Sequence, residues 1–259
     1  MDLELSKSVA LVTGASRGLG LAIAEALGRE GARVVLCARS AEALERAAED
    51  VRAVGAPETL AVTADVSDAA DCERLVATAV ERFGGLDVLV NNAGGSFRDG
   101  DLGERWGRAY ETNLLGAVRL MELCHPHLAS AVQERPGAAA VVNITSIYGR
   151  ETGGSPQYNA TKSALIAASK AYALKWAPEG IRVNSVAPGS IAFPGGSWGE
   201  RLRTEPEAMR DFIAQEIPAG RFGRPEELAA TVAFLASRRA SWVIGASLNV
   251  DGGQSRSNI

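Results

Sequence analysis

The chain has 259 residues, 46% of them apolar, and a net charge of -4. That is enough for one domain with a large core, and the slight acidic balance excludes the broad positive field that nucleic acid or an anionic membrane would need. Cys37, Cys72 and Cys124 are widely spaced and odd in number, so they make neither a disulfide framework nor a metal-ligand pattern and point to a reducing compartment. The mixed polar start, Met1 to Lys7, does not read as a secretory signal, and no apolar run approaches the ~20 residues of a membrane span. A cytoplasmic protein is expected.

The predicted elements alternate strand and helix. The first strand, over 8–13, carries the apolar run Val9-Ala10-Leu11-Val12-Thr13, which reads as a buried parallel strand. Gly14-Ala15-Ser16-Arg17-Gly18-Leu19-Gly20 follows, and a helix over 18–30 carries Leu21, Ile23, Ala24 and Leu27 in helical period. Strand, glycine turn and helix N-terminus together suit a pyrophosphate. The glycines let the backbone come close, and the helix end offers free N–H groups with a partial positive charge. A second strand, over 33–38, ends in Ala38-Arg39-Ser40. Folds that take NAD usually place an acid here for the ribose 2′-hydroxyl, whereas the first acid in this chain is Glu42. Arg39, with Arg17 from the glycine turn, offers charge-assisted hydrogen bonds to a 2′-phosphate, and Ser16 or Ser40 offers a hydroxyl. The pattern predicts NADP(H) in preference to NAD(H).

A helix is expected over 41–54 and a strand over 59–64, ending at Ala64-Asp65-Val66-Ser67. The next helix, over 68–84, has Ser67 placed to cap its start. The fourth strand, 87–91, runs into Asn91-Asn92-Ala93-Gly94. A long helix is expected over 104–133, with Asn113 inside it, where Asn is mildly unfavourable. His125-Pro126-His127 has no Cys, His or Asp cluster around it, so these histidines read as structural or surface residues and no metal is required. The fifth strand, 139–145, ends at two hydroxyls, Thr145 and Ser146.

The helix over 157–178 begins with Tyr158 and Lys162, four residues apart and therefore on one face. A phenol with a pKa near ~10 is a poor acid or base at neutral pH, and a fixed positive charge beside it lowers that pKa. The pair predicts a Tyr acid/base for carbonyl–alcohol chemistry. A strand over 181–187 leads to Pro188-Gly189 and a Gly/Pro-rich stretch to Gly199 that contains Phe193 and Trp198. Open α/β sheets bind ligands at this end of their strands, so a substrate lid over about 189–216 is expected rather than a plain surface loop, with Phe193 and Trp198 as apolar walls. Helices over 206–215 and 225–237 and a strand over 246–250 complete the chain.

Thr13-Gly14-x-x-x-Gly18-x-Gly20, Asn91-Asn92-Ala93-Gly94, Asn113, Ser146, Tyr158 with Lys162, and Pro188-Gly189 stand in an order that resembles the short-chain dehydrogenase/reductase family over nearly the whole chain. The resemblance implies one Rossmann-type α/β domain over 1–259, with a doubly wound parallel sheet of about seven strands and helices on both faces. It implies hydride transfer from NADPH to a ketone or aldehyde. Tyr158 donates the proton, Lys162 lowers the Tyr pKa and bonds the nicotinamide ribose, Ser146 steadies the substrate oxygen, and Asn113 holds a water on the proton path. The same resemblance implies a cofactor site. Gly14, Ser16, Arg17, Gly18, Leu19, Gly20, Arg39 and Ser40 meet the phosphates, and Asp65 and Val66 meet the adenine. Asn91 steadies the sheet, while Ala93 and Gly94 leave room for the ribose. Tyr158, Lys162, Pro188, Gly189 and the backbone of Ile191 surround the nicotinamide. Many family members carry Thr where this chain has Phe193, which removes a side-chain anchor there.

The expected activity is NADPH-dependent reduction of a ketone or 3-oxoacyl group to a secondary alcohol. Its rivals are an alcohol dehydrogenase running oxidatively and a non-catalytic dinucleotide sensor on the same fold; the intact Asn, Ser, Tyr and Lys argue against the sensor. The partner is expected to be a small-molecule carbonyl or alcohol. An acyl-carrier protein would need a basic docking surface, and Ala177-Pro178-Glu179-Gly180 puts an acid where carrier-using relatives often carry a base. Small residues at Ala160, Ala164, Ala168 and Ala171, with the segment Trp242 to Gly253, suit the homotetramer usual in the family.

Overall fold

The computed structural model describes residues 2–258. Its strands are β1 Val9–Thr13, β2 Arg33–Ala38, β3 Thr59–Thr63, β4 Val88–Asn91, β5 Ala140–Ile144, β6 Arg182–Pro188 and β7 Ser247–Val250. Its helices are α1 Gly18–Arg29, α2 Ala41–Ala53, α3 Ala69–Phe83, α4 Leu102–Tyr110, α5 Gly116–Glu134, α6 Pro156–Trp176, α7 Ser197–Thr204, α8 Pro206–Glu216 and α9 Pro225–Ala236. All seven strands pair in parallel in the order β3-β2-β1-β4-β5-β6-β7. The order reverses between β1 and β4, and that switch point is where such sheets bind dinucleotides. No helix among the described residues is long and apolar enough to cross a membrane.

Period-2 alternation sends neighbouring residues of a strand to opposite faces. Ala10 and Val12 of β1 pack with Ile23 and Leu27 of α1, Leu44 of α2, and Leu228 and Val232 of α9. Val9 and Leu11 pack with Leu75 of α3, Leu120 and Leu128 of α5, and Trp176 of α6. Both faces are covered, so β1 is buried along its whole length, which is why it reads as an unbroken apolar run. Local signals set several helix ends. Ser40 caps α2, Asp68 caps α3, and Asp101 with Glu104 makes a capping box on α4. Gly84, with a left-handed φ of 82°, ends α3. The expected cap of α3, Ser67, instead donates its N–H and Oγ to Asp65 Oδ1 at 2.9 and 2.7 Å.

The structure departs from the sequence reading in two places that matter for function. The long helix expected over 104–133 is α4 and α5 joined by a π-helical turn, Glu111–Leu115. Asn113 is the centre of that turn. The second difference is α7, in the Gly/Pro-rich stretch. Trp198 of α7 stacks on Phe212 of α8 with ring centroids 4.8 Å apart and leans on Phe222 at 5.3 Å. Together with buried Met209 and Ile217 these rings form a small core separate from the sheet, and that packing holds a helix whose own sequence signals are weak.

Candidate active site

The ends of β1 and β4 are tied together before any ligand is considered. The Asn92 and Ala93 N–H groups donate to Thr13 Oγ1, each at 3.0 Å. Asn92 Nδ2 donates to the carbonyls of Thr13 at 2.9 Å and Gly14 at 3.2 Å. Asn92 therefore fixes the glycine turn, a role that its place in the sequence does not signal. Gly14 and Gly18 have φ of +64° and +58°, a region that glycine enters without strain. A Cβ on Gly20 would strike the Gly14 carbonyl oxygen, so the turn closes only with glycine there. No side chain caps the start of α1. These residues fit a dinucleotide pyrophosphate, because bare backbone and an uncapped helix N-terminus converge on one point.

The space above this turn is bordered by Phe193. A Cβ on Gly18 would run into its ring, and one on Gly196 would come within 2.7 Å of it. Arg17 Nη1 donates to the Gly195 carbonyl at 3.2 Å. Glycine turn and lid root are thus in contact through an aromatic ring and one hydrogen bond. Beside them, Ile191 makes a bridge with Gly223 through Gly223 N to Ser190 O at 3.0 Å and Ala192 N to Gly223 O at 3.1 Å. The Ile191 N–H and C=O take no part in that pairing.

At the other end of the switch point, Arg39 is 80% exposed in its side chain and its Nη1 lies 3.9 Å from Asp65 Oδ2. The cation and the carboxylate face each other across the end of β2. Ser40 Oγ accepts from Ala43 N at 3.5 Å as the cap of α2. Val66 is buried, and its carbonyl lies against Gly116. Asn91 Nδ2 donates to Asn143 Oδ1 at 2.9 Å, and Asn143 Nδ2 donates to Ser169 Oγ at 2.8 Å. This chain of amides crosses from β4 through β5 to α6.

Ser146, Tyr158, Lys162 and Asn113 converge beside Gly94. A Cβ on Gly94 would come within 3.0 Å of Asn113 Oδ1 and 3.3 Å of Lys162 Nζ. Lys162 is buried, donates to the Ile144 carbonyl at 2.8 Å, and holds its Nζ 5.8 Å from the centroid of the Tyr158 ring. Asn113 accepts from Gly95 N and donates to Gly95 O, both at 2.9 Å, and donates to Thr161 Oγ1 at 3.2 Å. A π-turn rotates one residue out of the helical ladder, and such turns cluster at functional sites. The competing hydroxyl, Thr145 Oγ1, donates to Val186 O at 3.0 Å and is spent on the sheet. Ser146 Oγ accepts from Tyr148 N at 3.1 Å and hydrogen-bonds with Tyr158.

The charge states differ from the simple Tyr–Lys expectation. Burial pushes the Tyr158 phenol up; its hydrogen bond with Ser146 pulls the other way, and Tyr148 adds to the rise. Lys162 is held against a carbonyl rather than against the phenol oxygen, and burial without a carboxylate partner brings its ammonium down to about 8. In the unfolded chain the lysine keeps its ordinary value of 10.5. Between these values the unfolded state binds the extra proton, so this group makes stability rise with pH. Relative to Lys162→Met, the wild type is expected to gain about 1 kcal/mol between about pH 8 and pH 9. Urea unfolding of both proteins at each pH checks this, and parallel pH profiles would contradict it.

A cavity of about 800 Å³ opens beside this centre, a volume suited to a small organic ligand. Its wall starts at Ile147 and Tyr148 and runs across to Met209 and Phe212 of α8 and to Gln254. Tyr158 itself does not line it. A Cβ on Gly154 would lie 3.0 Å from Tyr158 Cδ1 and 3.4 Å from Tyr148 Cδ2, so Tyr148, which lines the cavity, and Tyr158 both border Gly154. Tyr148 and Gln254 were not found from the sequence, because each gains its place only when distant segments meet.

A dinucleotide-type α/β sheet carrying a convergent Ser, Tyr, Lys and Asn beside its switch point defines a class of oxidoreductases. The family profile described as enoyl-(acyl carrier protein) reductase matches residues 14–255. The chain is 37% identical over 257 residues to the 3-oxoacyl-[acyl-carrier-protein] reductase FabG of Staphylococcus aureus (strain N315), covering 97% of this chain and 99% of that protein. The L-sorbose reductase of Gluconobacter frateurii, solved with NADPH and L-sorbose, superposes with a TM-score of 0.88 at 32% identity, covering 99% of this chain and 100% of that one. A point variant of actinorhodin polyketide ketoreductase, solved with NADPH, gives a TM-score of 0.88 at 36% identity, covering 96% and 98% of the two chains. The chain belongs to the short-chain dehydrogenase/reductase family and is an oxidoreductase of the ketoreductase type.

Proposed function

We propose that this chain reduces a ketone to a secondary alcohol with NADPH. The observation that carries the reading is the convergence of Ser146, Tyr158, Lys162 and Asn113 beside Gly94, next to a glycine turn open to a pyrophosphate. Bound there, the dihydronicotinamide supplies the hydride. Tyr158, kept protonated by burial, donates its phenolic proton to the oxygen that gains charge. Ser146 holds that oxygen in line with the phenol. Lys162 brings a positive charge that favours the phenolate left behind. Asn113, pinned by its π-turn, orders the far side of Lys162. Consumption of NADPH with a panel of ketones tests the whole reading.

NADPH is preferred because Arg39 is exposed at the end of β2 and no acid stands at the β2 terminus itself. Two of the structural neighbours were solved with NADPH, which supports the same choice. An acyl-carrier partner fits less well. Glu179, after the end of α6, pairs with His125 Nε2 at 2.8 Å, which puts an acid where an acidic carrier would need a base.

Residues 189–216 act as a lid in this reading, with Phe193 as its moving part. The ring borders Gly18, so the phosphates must displace it on entry. Phe193→Ala is expected to tighten NADPH binding on the order of 3- to 10-fold, for a binding-competent fraction of about a third to a tenth. Fluorescence titration checks this; weaker binding by the variant would make Phe193 a wall of the bound site instead. A homotetramer is proposed from exposed apolar side chains, Trp242 at 95% and Leu174 and Leu102 at 66%. A light-scattering mass of one chain would contradict it.

A further inference from the structure

Gln254 lies after β7 and is buried, with 6% of its surface exposed. Its Oε1 accepts from the backbone N–H of Ser190 at 2.7 Å. That bond fixes which way the amide faces, because only the oxygen can accept. Among the described residues Nε2 has no protein partner, yet it is not one of the fully enclosed polar atoms left without one. It therefore opens on the cavity that Gln254 lines. An amide donor that keeps some exposure and has no protein partner is free to donate to an acceptor held in the cavity.

The charges around the cavity narrow what that acceptor is. Both arginines on the wall already face carboxylates: Arg201 lies 3.3 Å from Glu205, and Arg256 lies 3.9 Å from Glu216 while its backbone N–H donates to Glu151 at 3.0 Å. Asp211, also on the wall, has no cation within ion-pair distance among the described residues. Glu216 and Glu151 also push the Tyr148 phenol up, after burial, the larger cause. The acids on the wall, Glu151, Asp211 and Glu216, outnumber the cations Arg201 and Arg256, and Met209 and Phe212 give it an apolar side toward the lid.

We propose that Gln254 is a specificity-determining residue, its Nε2 donating to a second oxygen of an uncharged, oxygenated ketone, and that the acidic wall turns anionic substrates away. The proposal rests on the reading of this site as a ketone reductase. It binds a ketone bearing a hydroxyl or a second carbonyl better than the bare ketone, and binds an ester better than the free acid.

Binding without turnover tests it. The full chain, saturated with NADPH so that an alcohol has no hydride acceptor, is titrated by saturation-transfer NMR with cyclohexanol and with the cyclohexane-1,2-, 1,3- and 1,4-diols as product probes. At least one diol should bind roughly 5-fold more tightly than cyclohexanol, the effect of one neutral hydrogen bond. Gln254→Glu keeps an acceptor for Ser190 N–H but has no donor, and Gln254→Met keeps neither. Both variants should lose the diol preference while cyclohexanol binding stays within about 2-fold of wild type. A Gln254→Glu variant that keeps the preference overturns the donor role. Equal loss of all the probes in both variants overturns it too, by making Gln254 a structural tie to the lid root. In a parallel titration, 3-hydroxybutyrate binding as tightly as its ethyl ester would refute the acidic-wall argument. A chain that shows the Gln254-dependent preference yet oxidises NADPH with no ketone sinks the proposed activity and leaves this inference standing.

Discussion

Tyr158→Phe is expected to bind NADPH nearly as the wild type does and to lose roughly 10²- to 10⁴-fold in turnover, the usual range for a general acid. The substitution deletes one hydroxyl and keeps the ring that stands beside Gly154 and Lys162, so packing and the cofactor cleft stay in place. The buried phenol is pushed upward in pKa, which keeps the proton on it at neutral pH. Lys162, at about 8, still carries most of its charge at pH 7 and is placed to favour the phenolate once the proton has gone. Steady-state rates and a fluorescence titration of the same variant separate chemistry from binding. Near wild-type turnover would remove Tyr158 from the reaction.

Arg39→Ala is expected to weaken NADPH binding roughly 10- to 100-fold and to leave NADH nearly unchanged. A charge-assisted hydrogen bond to a phosphate contributes about 1.5–3 kcal/mol. The Arg39 side chain is 80% exposed, and among the described residues its ionic neighbour is Asp65 at 3.9 Å. An ion pair this long and this exposed contributes little to folding, so the variant should keep its stability. Titration with both cofactors decides the matter. Equal weakening of both would make Arg39 a residue that shapes the adenosine site rather than one that reads the 2′-phosphate.

Most of the fold was legible because its signals are local. The apolar strands buried on both faces and the glycine turn into α1 lie within a few residues of the elements they define. Tyr158 and Lys162 were legible for the same reason, since four residues on a helix place both groups on one face. The features that were not legible are those made by distant segments. The π-turn forms because Asn113 bonds the backbone of Gly95, 18 residues earlier. Helix α7 is held by Phe212 and Phe222, which no local pattern ties to Trp198. Gln254 reaches Ser190 across 64 residues, and Phe193 meets Gly18 from the far end of the sheet. The four-residue spacing by itself pairs Lys162 with the phenol and does not show what else the ammonium meets. The Ile144 carbonyl takes its Nζ, and burial raises the phenol rather than lowering it.

The most direct test of the central claim follows NADPH absorbance as the full chain is mixed with ethyl acetoacetate, an uncharged ketone with a second oxygen. The account predicts steady, enzyme-dependent loss of NADPH with formation of ethyl 3-hydroxybutyrate, slower loss with NADH, and near-complete loss of activity in Tyr158→Phe. NADPH that binds but is not oxidised with this ester, or with simple ketones and acyl thioesters, would contradict it.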